Sequence, residues 1–316
     1  MKFLTTFLLS ACLAAQALAQ GNSNGNANAN GKENANENSN KDKDLEEFTF
    51  TVEATFKGKK IPQSEIKLSK IPPGKEANPG KKLGLEKKQD GESGSRLTAR
   101  DTTKNPTSGS ANWCGSVKHT TTTNQIKLIH AYFQHPTCTK RTGQTYPQAT
   151  AQWAGIDGDT WTGALLQSGT VCKIDNSTGV VRNEAWWQWL PNGAYTISSL
   201  PVAPGDWFEV TIDTTSNRTA KVTLANLSKS YAYAITISGG AALGRLDADW
   251  VVERPRYGSS LSGFPKLSDV WFQNAYATLV SGTTTRLGLK GATQLQIPYL
   301  CASEEYDNEN SVSWSL

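Results

Sequence analysis

The chain is poor in the residues that build metal centres. It has 316 residues, with three histidines, five cysteines and a single methionine, Met1. His119, His130 and His135 show no ligand spacing, and structural or surface roles suit them better. Familiar hydrolase signatures are also missing. There is no Gly-x-Ser-x-Gly elbow, no Asp-Thr-Gly or Asp-Ser-Gly, and no His-Glu-x-x-His. No apolar run reaches the roughly 18 residues of a membrane span. No convincing amphipathic helix of ten residues or more can be found. These absences argue against a zinc peptidase, a serine hydrolase of the elbow type, a membrane-spanning helix and a helical bundle.

What is present falls into four stretches. Residues 1–19 combine a basic start, an apolar run and the small-x-small site Ala17-Leu18-Ala19, which predicts a secretory signal peptide. Residues 20–47 are largely Asn/Gly/Ala repetition, expected to be disordered because they offer little apolar surface to bury. Residues 48–100 begin with a candidate strand, Phe48-Thr49-Phe50-Thr51-Val52. They continue with twelve basic side chains against five acidic ones between Lys57 and Arg100. Together 20–100 are expected to form a propeptide. From Asp101 to Leu316 sixteen basic and sixteen acidic residues balance, and all ten tryptophans lie there. Residues 101–316 are long enough for one substantial core and are expected to be the catalytic domain.

Period-two alternation dominates this domain, as in Trp207–Asp213, Ala220–Leu224 and Tyr231–Ile237, with turn signals such as Pro204-Gly205-Asp206 between. The pattern predicts an all-β, antiparallel β-sandwich of two large sheets. Cys12 leaves with the signal peptide, and Cys114, Cys138, Cys172 and Cys301 are an even set, expected to form two disulfides. Three connectivities are open. Cys114 and Cys138 flank an expected hairpin, which favours joining them and leaves Cys172 for Cys301. Asn176, Asn217 and Asn226 each head a glycosylation sequon. Export, an extracellular location and a monomer are expected, with neither membrane nor nucleic acid as partner.

Four pieces carry the functional signal. They are Trp153-Ala154-Gly155-Ile156-Asp157-Gly158-Asp159-Thr160, Leu165-Leu166-Gln167-Ser168-Gly169, Trp186-Trp187-Gln188-Trp189-Leu190-Pro191 and Asp249-Trp250-Val251-Val252-Glu253. In this order they resemble the fungal glutamic peptidases, the eqolisins of the scytalidoglutamic and aspergilloglutamic type. The resemblance implies a sandwich with its site on a concave sheet face, polypeptide substrates and no metal or organic cofactor. It implies that Glu253 activates water as general base and returns the proton to the leaving amine. It implies that Gln167, whose amide both donates and accepts, stabilises the oxyanion. Trp113, Trp153, Asp157 and Gln188 are expected at the substrate cleft, with Asp157 also supporting Gln167 and its neighbours. Trp187 and Trp189 are expected to be core filler.

Three departures stand out. The family has a second active-site carboxyl where this chain has Gln188, which opens the alternative of a catalytically impaired member. The family's cysteine after Asp-Thr is Trp161 here, and no cysteine lies near Leu243-Gly244, as if one disulfide had been dropped as a unit. The mature part is also not acidic. A glycan-binding or glycan-cleaving sandwich is the remaining alternative. The propeptide is expected to inhibit through lysines of residues 57–88 paired with cleft carboxylates, Glu253 included, and to release in acid.

Overall fold

The computed structural model describes residues 48–71, 80–84, 105–282, 286–306 and 309–313. The expected signal peptide and disordered stretch lie outside these residues, as does most of 72–104. Two nine-stranded sheets make up the fold. One runs in the order Lys59–Lys60, Thr49–Phe56, Tyr231–Ser238, Thr219–Asn226, Trp207–Thr214, Ile126–Gln134, Val270–Leu279, Glu309–Ser313, Ala302–Tyr306. The other runs Leu68–Lys70, Tyr195–Ile197, Val181–Leu190, Leu165–Ile174, Gln148–Ile156, Asp247–Glu253, Trp113–His119, Thr293–Gln296, Thr107–Gly109. All pairings are antiparallel except that of Thr293–Gln296 with Thr107–Gly109. The antiparallel β-sandwich expected from the alternation is the fold. Among the described residues the one helical turn is Gln63–Glu65.

The alternation sorts side chains as a pleated strand must. Phe133, Phe208, Phe272, Trp187, Trp189 and Trp250 fill the space between the sheets. The Trp250 indole donates to the His130 carbonyl across it, at 3.1 Å. Trp113, Trp153, Trp186 and Val251 form a second cluster on the opposite face of the second sheet. The N-terminal segment is built into both sheets. Thr49–Phe56 pairs along its whole length with Tyr231–Ser238, and Leu68–Lys70 pairs with Tyr195–Ile197.

The disulfides correct the expected pairing. Cys114 is bonded to Cys301, with Cα atoms 6.1 Å apart, and Cys138 to Cys172, with Cα atoms 6.6 Å apart. Cys114 and Cys138 flank no hairpin, because Trp113–His119 and Ile126–Gln134 lie in different sheets. The sequon at Asn226 is corrected too. Asn226 is fully buried, and its Nδ2, the atom a glycan would occupy, donates to Pro201 O and to Asp206. Asn176 and Asn217 are exposed. Where the family's extra cysteine pair is absent, Trp161 packs on Gly244. A Cβ added at Gly244 would come within 2.5 Å of the Trp161 ring.

Candidate functional site

Three neighbouring strands assemble the site. Asp247–Glu253 pairs with Gln148–Ile156, which pairs with Leu165–Ile174. Glu253 stands opposite Ala151, and Gln167 opposite Gly155. The two residues expected to act together thus share one sheet face, with Gln148–Ile156 between them. Trp153 spans the gap. Its Nε1 donates to Glu253 Oε2 at 2.9 Å, and a Cβ at Gly155 would meet the Trp153 ring at 2.8 Å and Gln167 Cβ at 3.2 Å. Any larger residue at 155 would collide with the indole and crowd Gln167.

Glu253 is almost completely buried. Burial pushes its carboxyl up to about 8, partly offset by hydrogen bonds from Gly80 N, Trp153, Asn112 and Trp113. Asn112 Nδ2 donates to Glu253 Oε1 at 3.3 Å, and Gly80 N donates to the same oxygen at 2.8 Å. Trp113 stands edge-on to Trp153, with ring centroids 4.9 Å apart. Its Nε1 donates to Gly80 O at 3.0 Å.

The orientation of the Gln167 amide is set by its neighbour. Gln188 Nε2 donates to Asn192 O at 3.1 Å, which turns Gln188 Oε1 toward Gln167. Gln167 must then present its NH₂, and Nε2 donates to Gln188 Oε1 at 3.1 Å. One N–H remains for another acceptor. Gln167 Oε1 is buried with no protein partner. Gln188, expected at the substrate, instead fixes the amide beside it.

Asp157 also departs from expectation. Its carboxylate accepts from Arg245 N at 2.9 Å and Leu246 N at 2.8 Å, so it holds a turn rather than Gln167. Burial raises it to about 7. Beyond it, Asp247 accepts from Thr160 N at 2.7 Å, from Trp161 N at 3.1 Å and from the Thr160 hydroxyl, and it meets His119 Nδ1 at 3.1 Å. These bonds outweigh burial and lower the Asp247 carboxyl, while the Asp247 hydrogen bond raises His119. Asp249, between Asp247 and Glu253 on the same face, is fully buried with both oxygens unpaired, and burial drives it well above the carboxylate range. His135 is buried against Thr170 and Asn183 and lowered to about 4 by burial, and His130 bonds Glu209 and Asn274 O.

A peptide already lies across this face. Residues 80–84 of the N-terminal segment are anchored by backbone bonds. Besides the two at Gly80, Asn112 Nδ2 donates to Lys81 O at 3.0 Å and Leu83 N donates to Asn112 Oδ1 at 2.7 Å. Lys82 N donates to Gly158 O at 3.3 Å, and Ala111 N to Leu83 O at 3.0 Å. Among the described residues Glu253 therefore receives a backbone amide and no lysine, while Lys75, Lys87 and Lys88 of the expected set lie outside the described residues. Among the described residues Lys82 is the lysine of this stretch that meets an acid, and that acid is Asp159, at 2.6 Å. Asn112 and Asp159 were missed as site residues, although Asp159 sits inside a motif and Asn112 stands next to Trp113. Asp249 had a signal as well, since it lies four residues before Glu253 on a strand of period two.

The sequence profile described as the peptidase A4 family matches residues 111–315. The chain is similar to aspergillopepsin-2 of Aspergillus niger, 36% identical over 161 residues, which are 50% of this chain and 54% of that protein. It is similar to scytalidopepsin B of Scytalidium lignicola, 29% identical over 103 residues, 32% of this chain and 38% of that protein. The matches thus span about half or less of these curated relatives. Among solved structures, scytalido-glutamic peptidase with a transition state analog inhibitor aligns at a TM-score of 0.56 and 22% identity, over 65% of this chain and 98% of that one. SCP-B, an eqolisin family member in complex with the tripeptide Ala-Ile-His, aligns at 0.53 and 22%, over the same 65% and 98%. At that identity the likeness concerns the fold.

Proposed function

Given that the chain belongs to the peptidase A4 family, we propose that it is a secreted acid endopeptidase made with an inhibitory N-terminal prosegment. The observation that carries this is the peptide backbone at 80–84 held on the site, whose Gly80 amide donates to Glu253 at 2.8 Å. A face that holds one peptide by its main chain, beside a tunable carboxyl, suits hydrolysis of another.

In this mechanism Glu253 takes a proton from water, the water oxygen attacks the scissile carbonyl, and the free Gln167 N–H faces the oxyanion. Glu253 then gives the proton to the departing amine. Trp113 and Trp153 border the reacting groups and keep bulk water out. Residues 80–84 oppose all of this while they stay. They cover Glu253, and burial keeps its carboxyl protonated up to about pH 8, when it cannot act as a base. Release readmits water, which stabilises the carboxylate. Gln188 supports an active rather than an impaired member, because it keeps the Gln167 amide oriented without a charge.

The test is hydrolysis of denatured casein from about pH 2 to pH 7 with pepstatin and EDTA present. Acid activity should survive both inhibitors. Glu253→Gln should lower it by about 10²–10⁴, and Gln167→Ala by about 10²–10³. An undiminished Glu253→Gln enzyme would sink the mechanism.

A further inference from the structure

We infer that Asn112 is a substrate-positioning residue: its side-chain amide binds the substrate main chain on both sides of one residue and, through the same NH₂, holds an oxygen of Glu253. The inference rests on the endopeptidase reading. It adds the need for a main-chain N–H, which excludes proline at one substrate position.

Asn112 stands where the ladder between Trp113–His119 and Asp247–Glu253 ends. Trp113 is opposite Glu253, and the next bond of that ladder runs from Arg254 N to Asn112 O at 2.7 Å. The sheet itself thus delivers the Asn112 side chain to the carboxyl. The turn before it is fixed as well. Asn112 N and Trp113 N both donate to the Ser110 hydroxyl, at 3.3 and 3.0 Å. Asn112 is 2% exposed, so its side chain is confined.

The orientation of its amide follows from its partners. Oδ1 accepts from Leu83 N at 2.7 Å, and Nδ2 donates to Lys81 O at 3.0 Å. An amide turned the other way would set N–H against N–H and oxygen against oxygen. Nδ2 therefore also faces Glu253 Oε1, at 3.3 Å. The bonds to Lys81 O and Leu83 N are those that a residue of a neighbouring parallel strand would make. They read no side chain, which suits an enzyme that acts on polypeptides. They fail where the chain lacks an N–H. A substrate laid on the same contacts can carry any residue but proline in the place of Leu83.

The bond to Glu253 has a second consequence. A donor aimed at a carboxylate favours its charged form, and Asn112 is one of the groups that offset burial at Glu253. Asn112, Trp113, Trp153 and Gly80 face that carboxyl, and none of them titrates. Val251 separates it from Asp249 on the same face, and the Arg254 guanidinium donates to Ser262 O. Loss of the Asn112 donor is thus felt directly in the ionisation of Glu253.

The experiment uses the full-length chain brought to acid pH. In a peptide substrate each amide except the scissile one is replaced in turn by an ester, which removes the N–H and keeps the chain direction. Several esters should cost activity. For one of them the cost, about tenfold in kcat/KM and carried by KM, should vanish in Asn112→Ala. The acid limb of the kcat/KM profile should move up by about one pH unit in Asn112→Ala. Asn112→Asp, neutral in acid and still able to donate and accept, should restore activity there and lose it toward neutral pH. Ester costs that all persist in Asn112→Ala, with an unmoved acid limb, overturn the role and leave the peptidase reading standing. Should Asn112→Ala not fold, Asn112→Asp carries the test, and a pH profile equal to that of the unaltered chain overturns the role. If no peptide is cleaved, the peptidase reading fails, and amide exchange decides the contact alone. In the full-length chain at neutral pH the Leu83 N–H should exchange about tenfold faster in Asn112→Ala, and an unchanged rate overturns it.

Discussion

The strand Asp247–Glu253 carries a buried carboxyl at each end, and the two are held in opposite ways. Asp247 is gripped by His119, Thr160 and Trp161, all parts of the same domain, and its carboxyl is lowered below the usual range. Glu253 is ringed by weaker neutral donors, one of them the amide of Gly80, and its carboxyl is raised to about 8. Both are buried, so burial alone does not decide the charge. What decides it is whether enough donors aimed at the carboxylate offset the lost hydration. The Asp247 end is a fixed clamp that shapes the 157–161 turn. The Glu253 end includes a partner from a distant stretch of chain, which we propose to be removable.

The largest effect expected from breaking this contrast is at the clamp. Asp247→Asn loses the charge that holds His119 and three backbone amides, and should lower stability by about 3 kcal/mol in urea denaturation. The same change at the other end, Glu253→Gln, should leave stability at neutral pH unchanged or raised, because it removes a carboxyl that burial disfavours when charged.

A smaller effect sharpens the contrast through pH. The Glu253 pKa of about 8 stands above the 4.5 of a free glutamate, so the fold favours its protonated form. That contribution is complete below pH 4.5 and is lost as pH rises through 8. Asp157, raised from 3.8 to about 7, adds to the same slope. Asp247, lowered from 3.8, contributes above that value and loses its contribution as pH falls through its depressed pKa. Thermal denaturation of the full-length chain should therefore show Tm falling between pH 4.5 and 8, and Glu253→Gln should flatten part of that fall.

The smallest effect concerns Gln188. A glutamate there keeps the bonds to Gln167 and Asn192 only when protonated, since its ionised oxygen would face Asn192 O. Gln188→Glu should leave kcat intact at the acid end and reduce it by up to about tenfold toward neutral pH, with KM little changed. An equal loss at every pH would mean that Gln188 does something other than orient Gln167.

Much of this was legible in the residues. Alternation in Trp207–Thr214, Thr219–Asn226 and Tyr231–Ser238 announced the sandwich, and the resemblance carried by the motifs named Gln167, Trp153 and Glu253, which the register of the strands brings to one face. The disulfides were not legible, because sequence proximity of Cys114 and Cys138 says nothing of a chain that crosses between sheets. Asn226 looks like any sequon until its amide is found bonded inside the fold. Asp157 was assigned to Gln167 by resemblance, whereas local turn geometry gives it to Arg245 and Leu246. The lysine excess before Arg100 suggested charge pairing at Glu253. The cleft is held instead by main-chain bonds, which no side-chain composition reports, with Lys82 and Asp159 as the ionic contact.

The most direct test follows the Lys82 and Leu83 amides by hydrogen exchange in the full-length chain while casein cleavage is recorded on the same sample over time at a fixed acid pH. The account predicts that activity appears as protection of these two amides is lost, with the same time course. Full activity while both amides remain protected would contradict it, because the segment at 80–84 and the substrate could not then share the face that carries Glu253.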